Sequence, residues 1–397
     1  MLDAHDIRFF MQDALLGGMD AAGTPKQTVE ELRLGQPRLR LADRSQVGMH
    51  FCCIDELVAQ DPPVRTIWDA VCQMDLSGFV APIKAREFTE GRSANDVRVM
   101  GGLWLWAAAN NVARGRVLAR LCERDLSFKW MCGGLSMNYH TLNDFRVAHQ
   151  DALDGLFTAT LGRLVHAGLV DVTRISQDGL RVRASAGTGS FRTRPTLEKC
   201  LAEAEAHLAD LRKQQDSAGS EGAGNEGAGS QGDESKDAGD QGKALEVALA
   251  ADRLERVKGA LAQMPEVEAS KAKRHSKPES AARVSTTDPQ ARVMKMPNGG
   301  FNPAFNVQLA SDPDSRAIVG VSVSNSGAVA DWRALMNREQ AKEIYKQRAS
   351  TSETINADLR TFRGMSPFAV RGIAKATCVA LWSALVYNIL GFSSALT

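Results

Sequence analysis

From Asp216 to Gly242 the chain holds no aromatic and no large aliphatic residue. A segment of Gly, Ser, Ala, Asp, Glu, Gln, Asn and Lys buries too little apolar surface to offset its ordering entropy, and so predicts a disordered loop. Any core must be assembled from the sequence on either side of it. Before it, Leu197, Leu201, Ala204, Leu208 and Leu211 recur at intervals of three and four; after it, Leu245, Leu249, Leu254, Val257 and Leu261 nearly do the same. The two amphipathic stretches predict an antiparallel helical hairpin with a disordered tip. Strand-like sequence resumes only beyond it, so the hairpin reads as an insertion, residues 195–280, into another domain.

Upstream, an N-terminal arm (1–47) precedes a region, 48–168, whose pattern is all-helical. Asp61 before Pro62 and Pro63 is a helix start. Ser93 with Asp96 three residues on resembles a capping box ahead of the apolar run Val99–Ala113, which predicts a central core helix. Shorter helices follow at Val117–Arg124, Leu142–His149 and Asp151–Ala167, the last ending at Gly168. Helices joined by tight turns fit a helix-turn-helix DNA reader and fit a plain helical bundle equally.

Beyond Gly168 the period changes. Leu169–Gln177 predicts a strand leading into Asp178. Phe305–Ala310 and Ala317–Ser324, separated by the turn Asp312-Pro313-Asp314-Ser315, predict a β-hairpin. From Trp332 the pattern is helical to the end, interrupted near Gly364–Pro367. The fold class is therefore α+β and mostly helical, with the small sheet in a second domain, 169–397.

The formal net charge of +1 says nothing for or against a nucleic-acid partner; only local clustering speaks to that. Seven cysteines, an odd number without a C-x-x-C pair, predict reduced thiols. Met1–Asp20 carries acids and no basic region ahead of an apolar run, so a cytoplasmic protein is expected. The apolar stretch Ala376–Leu390 is shorter than a bilayer span of about 20 residues, which predicts a buried C-terminal helix and no membrane.

The order is strand, aspartate, helical insertion, two strands, then helices. Acids brought together on a strand and a later helix suit two-metal phosphoryl transfer, where hard divalent ions take carboxylate oxygens. Ser176-Gln177-Asp178-Gly179-Leu180-Arg181-Val182-Arg183 resembles the first-aspartate strand of bacterial insertion-sequence DDE transposases. Ser285–Pro289, Arg292–Lys295 and Phe305-Asn306-Val307-Gln308 resemble the second strand region of that family. Tyr345, Arg348, Glu353 and Arg360 resemble its Y-R-E-K signature, with Arg at the last position and one residue more between Arg and Glu. His140–Arg146 is similar to its InsH-type N-terminal domain.

The resemblance implies an RNase H-like catalytic domain in 169–397, with Asp178 and Glu353 as catalytic metal ligands for Mg²⁺ or Mn²⁺. It also implies double-stranded DNA, the terminal inverted repeats, as partner, and a homo-oligomer. Arg181, Arg183, Arg292, Lys295, Tyr345, Arg348 and Arg360 are the candidate DNA contacts. Lys271, Lys273, Arg274, Lys277, Arg283, Arg292 and Lys295 form a basic stretch that suits either a solvated loop or phosphate neutralisation. The chain departs from the family at one place. The family's second aspartate ends a fourth strand, reached through a helix after the third. Here Asn325–Asp331 passes directly to the helical sequence at Trp332, where a helix and returning strand need roughly 30 residues. A deletion near 325–332 is expected to leave the copy inactive or impaired. Asp331 reads as a helix cap and Asp288 as a turn acid. A DNA-binding remnant that inhibits an intact transposase is the alternative.

Overall fold

The computed structural model describes residues 53–60, 62–85, 93–221, 233–273, 281–325, 348–365 and 367–397, with side chains 216–221, 233–243, 273 and 348–352 left aside. The N-terminal arm, Asp61, Tyr345, Asp331 and most of the expected deletion site thus lie outside the described residues. Residues 53–397 form one compact unit.

Among the described residues seven α-helices come first: α1 (Pro63–Cys72), α2 (Ser77–Val80), α3 (Val97–Ala109), α4 (Gly115–Arg124), α5 (Leu126–Cys132), α6 (Tyr139–Ala148) and α7 (Gln150–His166). Pro63 opens α1 at its first position, where the missing N–H costs nothing. The cap of α3 is Asp96 and not Ser93: its carboxylate accepts from Arg98 N at 2.8 Å. A cap must sit immediately before the first helical residue, and Val97 is that residue. Helix α3 is apolar nearly all round and is buried accordingly, with Trp104 Nε1 donating to Leu142 O at 2.8 Å. Gly168, at φ +70°, ends the region.

The predicted strand Leu169–Gln177 is displaced. Strand β1 is Ser176–Arg183, and Leu169, Val172 and Ile175 are exposed. Among the described residues no strand pairs with 169–175, whereas 176–183 pairs along its whole length with β5. A short β2 (Phe191–Arg192) pairs with β3 (Val284–Ser285), and β4 (Arg292–Lys295), β5 (Phe301–Ser311) and β6 (Ile318–Ser324) complete the strands. Strand β5 is central: β1 lies antiparallel on one edge, and β4 and β6 lie antiparallel on successive stretches of the other. The β5–β6 turn is built by Asp312, whose Oδ1 accepts from Asp314 N and whose Oδ2 accepts from the Ser315 hydroxyl.

Between β2 and β3 stands the hairpin, α8 (Arg194–Glu221) and α9 (Asp233–Lys273). It has its own small cores, one of Ala204, Leu208, Ala250 and Leu254, the other of Leu197, Ala260, Met264 and Val284. The span expected to be disordered, 216–242, is helical at 216–221 and 233–242; residues 222–232 lie outside the described residues. Once an amphipathic turn is held by packing, each further helical residue adds a hydrogen bond at little cost, so the helices extend past their apolar stripes.

The chain closes with α10 (Arg348–Phe362), α11 (Ile373–Gly391) and α12 (Ser393–Leu396). Helix α10 packs on β1; α11 packs on β6 and on α1, α3, α6 and α7. By length and composition α11 could cross a membrane, but 67% of its apolar window is buried by protein, so its hydrophobicity is spent on the core. Trp382 Nε1 donates to Arg146 O at 3.1 Å. One continuous core runs from Val58 through the sheet to Leu396, so the expected boundary at 168/169 falls inside it.

Candidate functional site

Alternation along β1 sorts its side chains onto two faces. Asp178, Leu180 and Val182 share the face toward the helices, opposite Leu309, Val307 and Phe305 of β5; Gln177, Gly179, Arg181 and Arg183 occupy the other. Asp178 is half-buried at the end of the apolar row. Its Oδ2 accepts from Asn356 Nδ2 of α10 at 2.7 Å, and its Oδ1 accepts from Gly179 N at 2.8 Å. Glu353 is exposed and lies one turn before Asn356. Residues 353, 356 and 360 follow at i, i+3 and i+7, so Glu353, Asn356 and Arg360 share one helical stripe. The bond to Asn356 lays that stripe against Asp178.

The Asp-Gly pair and the Asn-x-Gln pair are cross-strand neighbours. Gly179 stands opposite Gln308 and Arg181 opposite Asn306. A Cβ on Gly179 would lie 2.8 Å from Asn306 Oδ1 and 2.9 Å from Gln308 Nε2, so the amides occupy the space a side chain would need.

The other candidates disperse. Arg181 and Arg183 project on the face opposite Asp178, and Arg181 donates to Lys295 O. Arg292 stands across from Ala304 and Lys295 from Phe301, five and eight positions along β5 from Leu309, the partner of Asp178. At about 3.4 Å per residue these are separations of roughly 17 and 27 Å. Arg292 is committed to protein: it donates to Pro289 O at 2.8 Å and Gln263 Oε1 at 2.7 Å, and pairs with Glu266 at 3.6 Å, tying β4 to the hairpin. Arg348 opens α10, and its side chain lies outside the described residues, as does Tyr345. Asp288 is fully buried, and burial pushes its carboxyl up although Gly372 N donates to its Oδ2 at 3.1 Å. It braces the entry to α11 and faces no solvent.

Asn356 was not a candidate from sequence, because an asparagine in a helix carries no signal by itself. Its spacing of three from Glu353 is the only clue. Among the described residues no group of three or more His, Cys, Asp or Glu side chains is placed to hold a metal.

Residues 53–148 match the family model Transposase domain (DUF772), which spans the helical region as far as α6 and supports a transposase family. No curated protein and no solved structure matches the chain.

Proposed function

We propose that this chain is a DDE-type transposase derivative that acts on double-stranded DNA at the terminal inverted repeats of an insertion sequence, with Asp178 and Glu353 as what remains of its acidic site. The observation that carries this is the Asn356–Asp178 bond, which holds the helix bearing Glu353 against the strand bearing Asp178. The transposase-domain match upstream supports it independently. The antiparallel order β6–β5–β1, followed by a helix returning onto β1, suits the first half of an RNase H-like domain.

A third acid able to share a metal pair with Asp178 must stand on a strand beside β1, since neighbouring strands lie about 4.8 Å apart. One edge of β1 is filled by β5. Ala184 N points at Pro303 O of β5, so the carbonyl of Arg183 points to the other edge, where Phe368 N takes it at 2.9 Å. Among the described residues no strand pairs with that edge. Two carboxylates, one already engaged by Asn356 and Gly179 N, do not complete a donor set for two Mg²⁺ or Mn²⁺ ions about 4 Å apart. Strand cleavage is accordingly impaired or absent. The test is incubation of the purified chain with its flanking inverted repeats in Mg²⁺ and in Mn²⁺. Specific end cleavage by the wild type that Asp178→Asn abolishes would overturn the inactivity.

The second reading, a remnant that binds element ends and inhibits an intact transposase, is favoured by α4. Arg116, Arg120 and Arg124 are exposed at intervals of four, a basic stripe of about 6 Å per step. A gel shift with no preference for terminal-repeat DNA over random DNA would sink it.

A further inference from the structure

A cleft of about 270 Å³ opens where the hairpin meets the small β2–β3 pair and the entry to α11. Four guanidinium groups line it: Arg192 from β2, Arg253 and Arg256 from α9, and Arg371 just before α11. Thr286 and Thr287, following β3, complete its polar wall. None of these belongs to the Asp178–Glu353 site or to the candidate DNA contacts.

The charges do not cancel. Asp252 pairs with Arg256. Asp288 lies buried beside Arg371, its Oδ2 turned to Gly372 N. Arg192 spends one nitrogen, Nη1, on the carbonyls of Gly189 and Phe191. Arg253 and Arg371 meet no carboxylate at ion-pair distance among the described residues. Of the four cations, only Arg256 is paired with a carboxylate at ion-pair distance among the described residues. Arg256 registers the crowding: burial first, then the neighbouring Arg371 cation, hold its guanidinium below the usual arginine range. Convergence of four like charges from three separate segments is unfavourable unless an anion offsets it. Guanidinium forks match phosphate oxygens in geometry as well as in charge, and threonine hydroxyls are suited to supply further donors.

We propose that this cleft is a phosphate-binding site, taking a phosphate group carried either on a nucleic-acid strand or on a small phosphate ester. The nucleic-acid form rests on the transposase reading; the phosphate chemistry does not. It makes the hairpin a ligand-bearing element that closes one wall of a cleft whose other walls belong to the main body.

The experiment has two arms on the full chain, comparing wild type with Arg253→Ala/Arg371→Ala. Both residues are exposed, so the variant keeps the fold, checked by its unfolding temperature. In the first arm inorganic pyrophosphate is titrated calorimetrically. Binding by the wild type, weakened about tenfold or more in the variant, is expected. No binding by the wild type, or equal binding by both, overturns the site. Thr287→Glu serves as a second variant: a carboxylate among the guanidiniums abolishes pyrophosphate binding, and undiminished binding counts against the site. In the second arm the salt dependence of binding to labelled duplex and single-stranded DNA is measured. A slope of log K against log[salt] shallower by about two in the double-alanine variant assigns the phosphate to a nucleic-acid strand. Equal slopes with first-arm binding intact overturn that source and assign a small phosphate ester. A wild type that binds pyrophosphate but no DNA refutes the DNA reading while the site stands.

Discussion

At the scale of single residues, Asp178 is placed by two neighbours with different work. Gly179 lets the strand pass under Asn306 and Gln308, and Asn356 fastens the carboxylate to α10. A hydrogen bond to a half-buried carboxylate contributes on the order of 1–2 kcal/mol. Asn356→Ala is therefore expected to lower stability by about that much. A double-mutant cycle with Asp178→Ala, which removes the acceptor, followed by denaturant unfolding, should return most of it as coupling. Near-zero coupling would remove the link between strand and helix. Asp288 allows a test by pH. Burial raises its folded-state pKa above the ordinary 3.8. Above 3.8 the native state holds a proton that the unfolded chain has released, so this group's contribution to stability falls as pH rises through that window and stays low above it. Asp288→Asn should lack that fall: the difference in unfolding temperature, wild type minus variant, should decline with rising pH from about 4. A difference that rose with pH would contradict a buried, protonation-favouring site.

At the scale of elements, the helices were legible where a cap or a terminal glycine stood beside an apolar stripe, as at Pro63 and Gly168. The start of β1 was not. Alternation in 169–175 and in 176–183 looks alike in the sequence, and only β5 decides which stretch becomes strand. The hairpin's apolar stripes were visible as such: its small cores take up Leu197, Leu201, Ala204, Leu208, Leu211, Leu254 and Leu261, while Leu245 and Leu249, expected in the second stripe, stay exposed because no facing side chain covers that end among the described residues. Those cores lie apart from the main one, so damage there should stay local. Leu254, buried against Leu208 and Ala204, is expected to cost about 2 kcal/mol on Leu254→Ala. Hydrogen exchange should quicken in α8 and α9 while β5 and α11 keep their protection. Equal quickening throughout would mean that hairpin and body unfold as one.

At the scale of the molecule, α11 lies in the core beside α3, α6 and α7, more than two hundred residues from the helices it completes. Phe79 and Phe145 stack on each other at a centroid distance of 5.6 Å, and both meet Trp382 at a tilt, at 6.4 and 6.2 Å. The helical region that matches the transposase domain is therefore unfinished without the C-terminus. A fragment of residues 53–168 should show poor amide dispersion by NMR and no cooperative melt, and adding 373–397 in trans should restore order. A cooperative melt of the fragment alone would show that the region is independent.

By itself the sequence determined the mostly helical α+β class, the hairpin insertion, the β5–β6 turn at Asp312 and the burial of the C-terminal apolar helix. These follow from local rules: periodicity, caps, turn residues and the cost of exposed apolar surface. Only the tertiary structure decided that Asp178 leans on Asn356, that Arg292 and Lys295 lie far along β5, and that Arg192, Arg253, Arg256 and Arg371 meet in one cleft. Those relations join residues up to 179 positions apart (Arg192 to Arg371). No window of sequence contains them, because they are set by strand register and by which faces pack together. The proposed acidic pair shows the division clearly. Asp178 and Glu353 were named from motif, while the Asn356 bond that fastens the helix of Glu353 to β1, and the distance of Arg292 and Lys295 from Asp178, came from pairing and packing.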